Sequence, residues 1–450
     1  MRNMRYFLYF SIFFLVSTLQ FSCIKDPDTS NFPEFPITIT SVVDTLGVTK
    51  ISWSKIESSD FIEYVIVRSS KDSIPNFSKL SSTDGSVIIG RVSDAKRTFF
   101  FDSNNNNPIF IGKVYYRVFA RLTNRNISSA NYFVNSNISQ INFSISSIVQ
   151  DETTLERFYF TSTNSSQIMM YDAEKEKSVV SNLLPFSSSS RIALSNVAGG
   201  EPEVIVWSNF NSSIYILDGK TLQQKASIDF AGANVYNLAV SNDGYMMVFT
   251  SESSTPIKMF RLSDRQVVSK INNGSPNFIS TSNSVLITKN GNKKEFLIHD
   301  GSSCSPNLTR LTYSDQGILG SVSSVGNVSS NCNVSRMKVS VTGKYILINS
   351  NIFDSQLILS QPIKILNSLY FDTQFNAAED KIYSSRQTNT SVSTITTVDE
   401  TAVTGTTVLR SFQSKISFPK AFIGKDKIYF FANVSSSSFS PLSAMEKVKL

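Results

Sequence analysis

Seven acidic residues, Glu201, Glu203, Glu252, Asp372, Glu379, Asp380 and Asp426, are the groups with which this chain could run acid–base chemistry. A pair of carboxylates flanking a bond is what glycoside hydrolysis needs, one as acid and one as base or nucleophile. Other chemistries have less to draw on. His299 is the single His, so no site needing two imidazoles can form, and a Ser-His-Asp triad would depend on that residue alone. Three Cys, at 23, 304 and 332, cannot make a four-Cys zinc site. No GxSxG, no GxxxxGK[ST] phosphate loop and no DxDxDG calcium loop occurs. The expectation is therefore no cofactor, no metal and no enzyme, with a carboxylate-based polysaccharide enzyme as the rival. The formal charge is +7, from 42 Lys plus Arg against 35 Asp plus Glu, and it is spread along the chain without a basic cluster. That distribution argues against nucleic acid as a partner.

The elements that would hold such groups begin after a targeting segment. Arg2 and Arg5 precede an uncharged, mostly apolar run over residues 6–19, too short for a comfortable membrane span. Leu19-Gln20-Phe21-Ser22-Cys23 follows. This resembles a bacterial lipobox, although Phe21 stands where a small residue is usual. The resemblance implies cleavage after residue 22, lipid attachment at Cys23, and a membrane partner engaged through N-terminal acyl chains. A plain signal peptide with an incidental Cys is the alternative. Ile24 after the Cys, in place of an inner-membrane retention Asp, points to the outer membrane. Lys25-Asp26-Pro27-Asp28 is similar to short surface-export signals. The address expected is the outer membrane, on its periplasmic or surface side. Residues 23–35 read as a tether.

Residues 36–135 alternate apolar and polar with period two and break at turn residues, the pattern of a β-sandwich. Trp53, Tyr64-Val-Ile-Val-Arg68 and Tyr116-Arg117-Val118-Phe119-Ala120 resemble a fibronectin type III domain. The resemblance makes Trp53 a core residue. Val114 stands where that family usually carries a Tyr, so the corner hydrogen bond that Tyr makes is absent.

Residues 136–450 repeat. A turn followed by a strongly apolar strand recurs at Arg157, Glu203, Tyr245, Ser284, Lys344, Lys381 and Lys427. The spacings are 46, 42, 39, 60, 37 and 46, in the range of propeller blades. With these starts read as strand b, Asp172, Asp218, Asp264, Asp300 and Asp399 each end a strand c, and His299 sits at a surface strand end. The long interval contains a Ser/Gly/Asn-rich insertion at residues 314–333. Ala239-Val240-Ser241-Asn242-Asp243-Gly244 and Ile214 to Thr221 (IYILDGKT) resemble the YVTN and WD40-like propellers, without the Trp-Asp of true WD40 repeats.

The fold class expected is all-β, a fibronectin type III-like sandwich followed by a seven-bladed β-propeller. The domains are 1–22 signal peptide, 23–35 tether, 36–135 sandwich and 136–450 propeller. The function expected is a lipid-anchored scaffold for a protein or polysaccharide ligand, with an outer-membrane assembly factor as a further alternative. Tyr313 and Asp315, at the start of the insertion, and Asp372, inside a strand a, are the expected ligand-face residues. Cys304 and Cys332 are candidates for one disulfide. Their expected places, a c–d turn and the lead into a strand a, lie on opposite faces, so pairing needs the insertion to fold across. The last unit lacks a strand d and the first a strand a. Residues 137–143 and 144–149 are expected to supply them.

Overall fold

The structure, a computed structural model, describes residues 37–80, 85–102, 113–185, 190–196, 201–271, 285–300, 308–324, 337–355, 362–366, 370–389, 394–416, 419–434 and 442–450. The chain divides into two compact units at Ser139/Gln140.

The first unit holds two antiparallel sheets. β1 (Ile39–Thr45), β2 (Val48–Trp53) and β5 (Phe99–Asp102) form one, in the order β1-β2-β5. β3 (Phe61–Ser69), β4 (Ser86–Val92), β6 (Lys113–Leu122), β7 (Asn126–Ser128) and β8 (Tyr132–Asn135) form the other. Its order is β4-β3-β6-β7, with β8 also on β6. Alternate residues of a strand face opposite sides, so one face of each sheet supplies the core. Ile51 and Trp53 meet Tyr64, Ile66, Tyr116 and Val118 there. Trp53 is 3% exposed and stands edge-on to Tyr64, ring centroids 5.3 Å apart.

The second unit is built from seven four-stranded sheets, each a meander apart from the last. We name them I to VII and their strands a to d. Sheet I is Ile145–Gln150, Arg157–Ser162, Ile168–Asp172 and Lys177–Val180. Sheet II is Ser190–Ser195, Glu203–Ser208, Ser213–Asp218 and Gln224–Asp229. Sheet III is Val235–Val240, Tyr245–Thr250, Ile257–Arg261 and Gln266–Ile271. Sheet IV is Val285–Lys289, Glu295–Asp300, Leu308–Ser314 and Gly317–Ser324. Sheet V is Met337–Val339, Tyr345–Ile348, Asn351–Asp354 and Lys364–Ile365. Sheet VI is Tyr370–Phe375, Lys381–Asn389, Thr394–Ala402 and Val408–Ser414. Sheet VII takes Lys420–Ile423, Lys427–Val434 and Leu442–Lys449 from the end of the chain, and its outer strand d is Ile138–Ile141.

Alternation in the buried b strands ties each sheet to two neighbours. In sheet I, Tyr159 packs with Val204 and Val206 of sheet II, while Phe158 and Phe160 pack with Tyr429, Phe431 and Met445 of sheet VII. Ile205 turns to Met246 and Val248 of sheet III, and Met247 and Phe249 turn to Phe296 and Leu311 of sheet IV. Leu297 meets Ile346 of sheet V, and Leu347 meets Ile382 of sheet VI. Hydrogen bonds also join sheets VI and VII. Gln374 Nε2 donates to Ala421 O at 2.6 Å, and Ser414 Oγ donates to Glu446 Oε2 at 3.0 Å. Across sheets VII and I, Asn433 accepts from Ile145 N at 2.8 Å and donates to Ile145 O at 2.7 Å, and Ser443 Oγ donates to Phe143 O at 2.6 Å.

Sheet IV corrects the sequence frame. Val285–Lys289 is strand a, not b: it pairs with Glu295–Asp300 through a hairpin in which Gly291 takes φ 58°. The sequence misleads because Val285–Lys289 is as apolar as a strand b, and Asp300 imitates a strand-c terminus. The true b strands start 46, 42, 50, 50, 36 and 46 residues apart, so the interval of 60 disappears. The supposed insertion contains strand d, Gly317–Ser324; residues 325–333 lie outside the described residues. His299 is 1% exposed inside strand b, not at a surface strand end. Asp300 ends a strand b and Asp399 lies inside a strand c, whereas Asp354 does end one.

Candidate functional site

Strand a is an edge strand of each sheet, and the a strands adjoin one another from sheet I through sheet V and between sheets VI and VII. They begin at the end of the unit that carries the d–a and b–c connections and finish at the a–b and c–d end. In their first halves they carry Arg191 (II), Lys338 (V), Asp372 (VI) and Lys420 (VII). Asp372 Oδ1 accepts from Lys338 Nζ at 2.6 Å. Lys420 is exposed, yet desolvation holds its pKa below the ordinary lysine value; Asp372 opposes that shift and Lys338 adds to it. Arg191 shows the same combination, solvent-reached but with its pKa lowered by desolvation. Arg191 Nη1 donates to Tyr236 O at 3.2 Å, and with its amide turned Asn209 accepts from Arg191 Nη2 at 3.1 Å.

Hydrogen bonds link the sheets at the a–b end. Gln150 Nε2 donates to Leu155 O and Ile423 O at 2.7 and 2.8 Å. Gln374 Oε1 accepts from Ile423 N at 3.2 Å. Lys289 Nζ, at the end of strand a of sheet IV, donates to Asn242 Oδ1 at 2.7 Å and to Glu152 Oε2 at 2.6 Å. Glu152 belongs to the a–b connection of sheet I, so this ion pair reaches from the fourth sheet to the first.

The structure separates the three residues expected on one ligand face. Asp372 lies on its strand a as expected. Tyr313 and Asp315 lie at the c–d hairpin of sheet IV, at the opposite end, because the frame shift turns the supposed insertion into that hairpin. Tyr313 is 2% exposed and donates to Asp243 Oδ1 at 2.7 Å; burial raises its pKa. Asp315 accepts from Lys294 Nζ at 3.0 Å and from Tyr245 OH at 3.2 Å, and these bonds lower its pKa. Tyr313 clips sheet IV to the a–b turn of sheet III, and Asp315 clips it to the start of that sheet's strand b. Arg191, Lys338 and Lys420 were missed, being single cations in unrelated stretches; their common position in successive a strands is the one signal that links them.

The carboxylates do not converge on a catalytic pair. Glu201 is held by Arg157 at 2.6 Å and Glu203 by Lys225 at 2.6 Å. Asp380 accepts from Asn376 Nδ2 at 2.7 Å, and Asp426 lies 3.5 Å from Lys427 Nζ. Glu379 bridges to the next a–b turn, accepting from Thr342 N and Oγ1 at 2.5 and 2.7 Å. Every carboxyl whose pKa is displaced is displaced downward, opposite to what a general acid requires. Asp172 and Asp218 use their oxygens to cap c–d turns, accepting from Lys175 N at 2.9 Å and Thr221 N at 2.8 Å. Among the described residues no group of three metal-ligating side chains occurs.

Glu252 gives a pH prediction. The Lys258 ammonium, then the Thr255 hydroxyl, pull its pKa from 4.5 to about 2. A depressed carboxyl stabilises the fold above its unfolded pKa and loses that contribution as pH falls through the folded one. The side chain is 33% exposed, so screening limits the effect to about 1 kcal/mol or less. Urea melts between pH 5 and 2 should show Glu252→Gln losing less stability than wild type over that window. Parallel losses would refute the assignment.

Cys23, Cys304 and Cys332 lie outside the described residues. The frame shift does remove the argument that set Cys304 and Cys332 on opposite faces. Cys304 falls in the b–c connection of sheet IV and Cys332 in the following d–a connection, and the strand ends bounding the two are at one end of the sheet. Among the described residues no helix is long and apolar enough to cross a membrane.

No protein-family profile matches the chain. No curated protein matches it either. Solved structures do. The Cps50 (Swd1) beta-propeller domain of Myceliophteria thermophila aligns at 11% identity and TM-score 0.46, over 68% of this chain and 98% of that one. The RRP9 WD40 repeats align at 8% identity and TM-score 0.47, over 69% and 97%. Hsv2 of Kluyveromyces lactis aligns at 11% and 0.44, over 69% and 98%. The propeller architecture of the second unit stands on its own sheet order and inter-sheet packing.

Proposed function

We propose that the chain is a lipid-anchored envelope scaffold whose second unit, a closed seven-bladed propeller of the WD40-like class, binds a protein partner at its d–a/b–c end. The observation that carries the reading is a pair of exposed apolar side chains drawn together at the d–a/b–c end, beside the start of strand a of sheet II. Phe210, in the b–c turn of sheet II, is 80% exposed, and Leu183, leading into the same sheet, is 70% exposed. Asn211 Nδ2 donates to Pro185 O at 3.4 Å, which draws those two segments together. Packing from each sheet to the next, and from VII back to I, supports closure. The first unit, a fibronectin type III-like sandwich with Trp53 in its core, serves as spacer above a tether acylated at Cys23. Pairing of every candidate carboxylate disfavours the polysaccharide-enzyme reading.

A photo-crosslinking amino acid at Phe210 should give a discrete protein adduct in cells, and one at Lys175, in a c–d turn, should not. Cys23→Ala should move the protein to the soluble or precursor fraction and abolish the adduct. Equal labelling from both ends would overturn the scaffold reading, and unchanged membrane association of Cys23→Ala would overturn the anchor.

A further inference from the structure

The sheet β1-β2-β5 of the first unit has an outer face that is apolar and positively charged. Val42, Ile51 and Phe100 turn into the core, and alternation turns Val43, Lys50 and Phe101 the other way, side by side across the three strands. Val43 is 52% exposed and Phe101 48%. Phe99 lies two residues back along β5, its ring centroid 5.5 Å from that of Phe101. Two exposed cations close on the Phe99 ring, Lys50 Nζ at 5.0 Å and Arg97 Cζ at 5.2 Å from the centroid. A ring attracts a cation but leaves its charge in place. Among the described residues neither cation has an ion-pair partner. The two acidic residues of the sheet, Asp44 and Asp102, alternate away from this face, and Asp102 is held by Arg68. We propose that the face rests on an anionic phospholipid surface, with Val43 and Phe101 entering the headgroup boundary and Lys50 and Arg97 meeting lipid phosphates.

The route of the chain selects a bilayer. Thr38 N donates to Ser54 Oγ at 2.8 Å, Ser54 N donates to Thr38 O at 2.9 Å, and Trp53 N donates to Thr98 O at 3.0 Å. The chain therefore enters the sheet at the end where Arg97 and Phe99 stand, two strand spacings or about 10 Å away. A tether over residues 23–35 extends at most about 45 Å, so a lipid on Cys23 holds this end of the sheet close to the membrane and raises its local concentration there. Acyl chains joined by a basic apolar face also make the two signals that stable attachment takes. A second copy of the chain fits less well, because a two-fold contact would set Lys50 and Arg97 against their own equivalents. The inference rests on the anchor in the proposed function and adds a second membrane contact to it.

Trp53 and Trp207 are buried, so a Trp placed on the surface can be read against a quiet background. Full chains carrying Phe101→Trp or Ile88→Trp are mixed with vesicles of brominated phosphatidylcholine, alone or with added phosphatidylglycerol. Flotation reports attachment and bromine quenching reports contact. Ile88 is the control, exposed on the outer face of the other sheet opposite Val67. Quenching is expected for Phe101→Trp and not for Ile88→Trp, and it should need phosphatidylglycerol and fade in high salt. Adding Lys50→Gln and Arg97→Gln should lower the docked fraction relative to the free one by about thirtyfold, the product of two cations near an anionic surface. Thermal melts control for folding. Equal quenching at both positions, none at Phe101→Trp, or quenching indifferent to the double substitution would each overturn the proposal. So would a blue shift of Phe101→Trp that grows with protein concentration without vesicles, which marks a second copy. A protein adduct from a photo-crosslinker at Phe101 in cells, with no quenching by vesicles, would make the occupant a protein and overturn it too. Flotation without quenching removes this contact and leaves the anchor, whereas a chain that does not float removes both.

Discussion

Asp102→Ala should destabilise the first unit by about 3–5 kcal/mol, the cost of leaving a buried charge without its partner. Asp102 ends β5 and Arg68 lies in β3, so their pair joins the two sheets through the core. Arg68 Nη1 reaches both carboxylate oxygens at 2.9 Å, and the two side chains are 3% and 5% exposed. Tyr116 OH donates to Asp102 Oδ2 at 2.8 Å. Burial first, and Asp102 second, push the Tyr116 pKa well up, so the phenol stays a donor throughout the physiological range. Truncation takes the carboxylate from a buried guanidinium and a buried phenol together. Replacing both charges by apolar residues of similar volume removes the stranded charge, and Arg68→Leu with Asp102→Leu should recover most of the loss. In the full chain this reads as an early unfolding transition for Asp102→Ala, displaced by more than about 10 °C, that returns towards wild type in the double variant. A double variant as unstable as the single one would show that the pair contributes shape and not charge compensation.

Much of this architecture was legible because β-structure writes its period into the chain. The strands of sheet III, Val235–Val240, Tyr245–Thr250 and Gln266–Ile271, match the alternation and its turns to the residue. Sheet IV was not legible, and for a physical reason. When both faces of a sheet are covered, strands a and b are equally apolar, and only pairing distinguishes them. Val285–Lys289 offered the hydrophobicity of a strand b, and Asp300 offered the acidic end of a strand c. One misassigned strand then carried Tyr313, Asp315 and the cysteine argument to the wrong ends. The cations of the a strands were illegible for a different reason. Arg191, Lys338 and Lys420 share no local motif, and only the arrangement of sheets brings them to one end. The strand swap at the ends was legible, since an unpaired strand a and a missing strand d leave edges that need partners.

That swap leads to the second large effect. Phe158→Ala should cost about 3–5 kcal/mol, as truncation of a fully buried Phe does. The residue is 0% exposed in strand b of sheet I. It touches three aromatic rings of sheet VII: Phe431 with centroids 4.7 Å apart, Tyr429 at 5.3 Å and Phe422 at 5.5 Å. These partners belong to the seventh sheet, so the contact exists only if sheet VII returns to sheet I. The cost of Phe158→Ala alone cannot separate closure from ordinary core loss, because Phe158 also packs within its own sheet. A double-mutant cycle with Phe431→Ala can. An aromatic pair in contact couples by about 0.5–1.5 kcal/mol beyond its buried area, whereas distant sites add to within about 0.3–0.5 kcal/mol. Urea denaturation of wild type, both single variants and the double variant should therefore show coupling above that noise. Strict additivity would mean that sheets I and VII part in solution. The hydrogen bonds from Asn433 and Ser443 to Ile145 and Phe143 would then hold too little to close the ring.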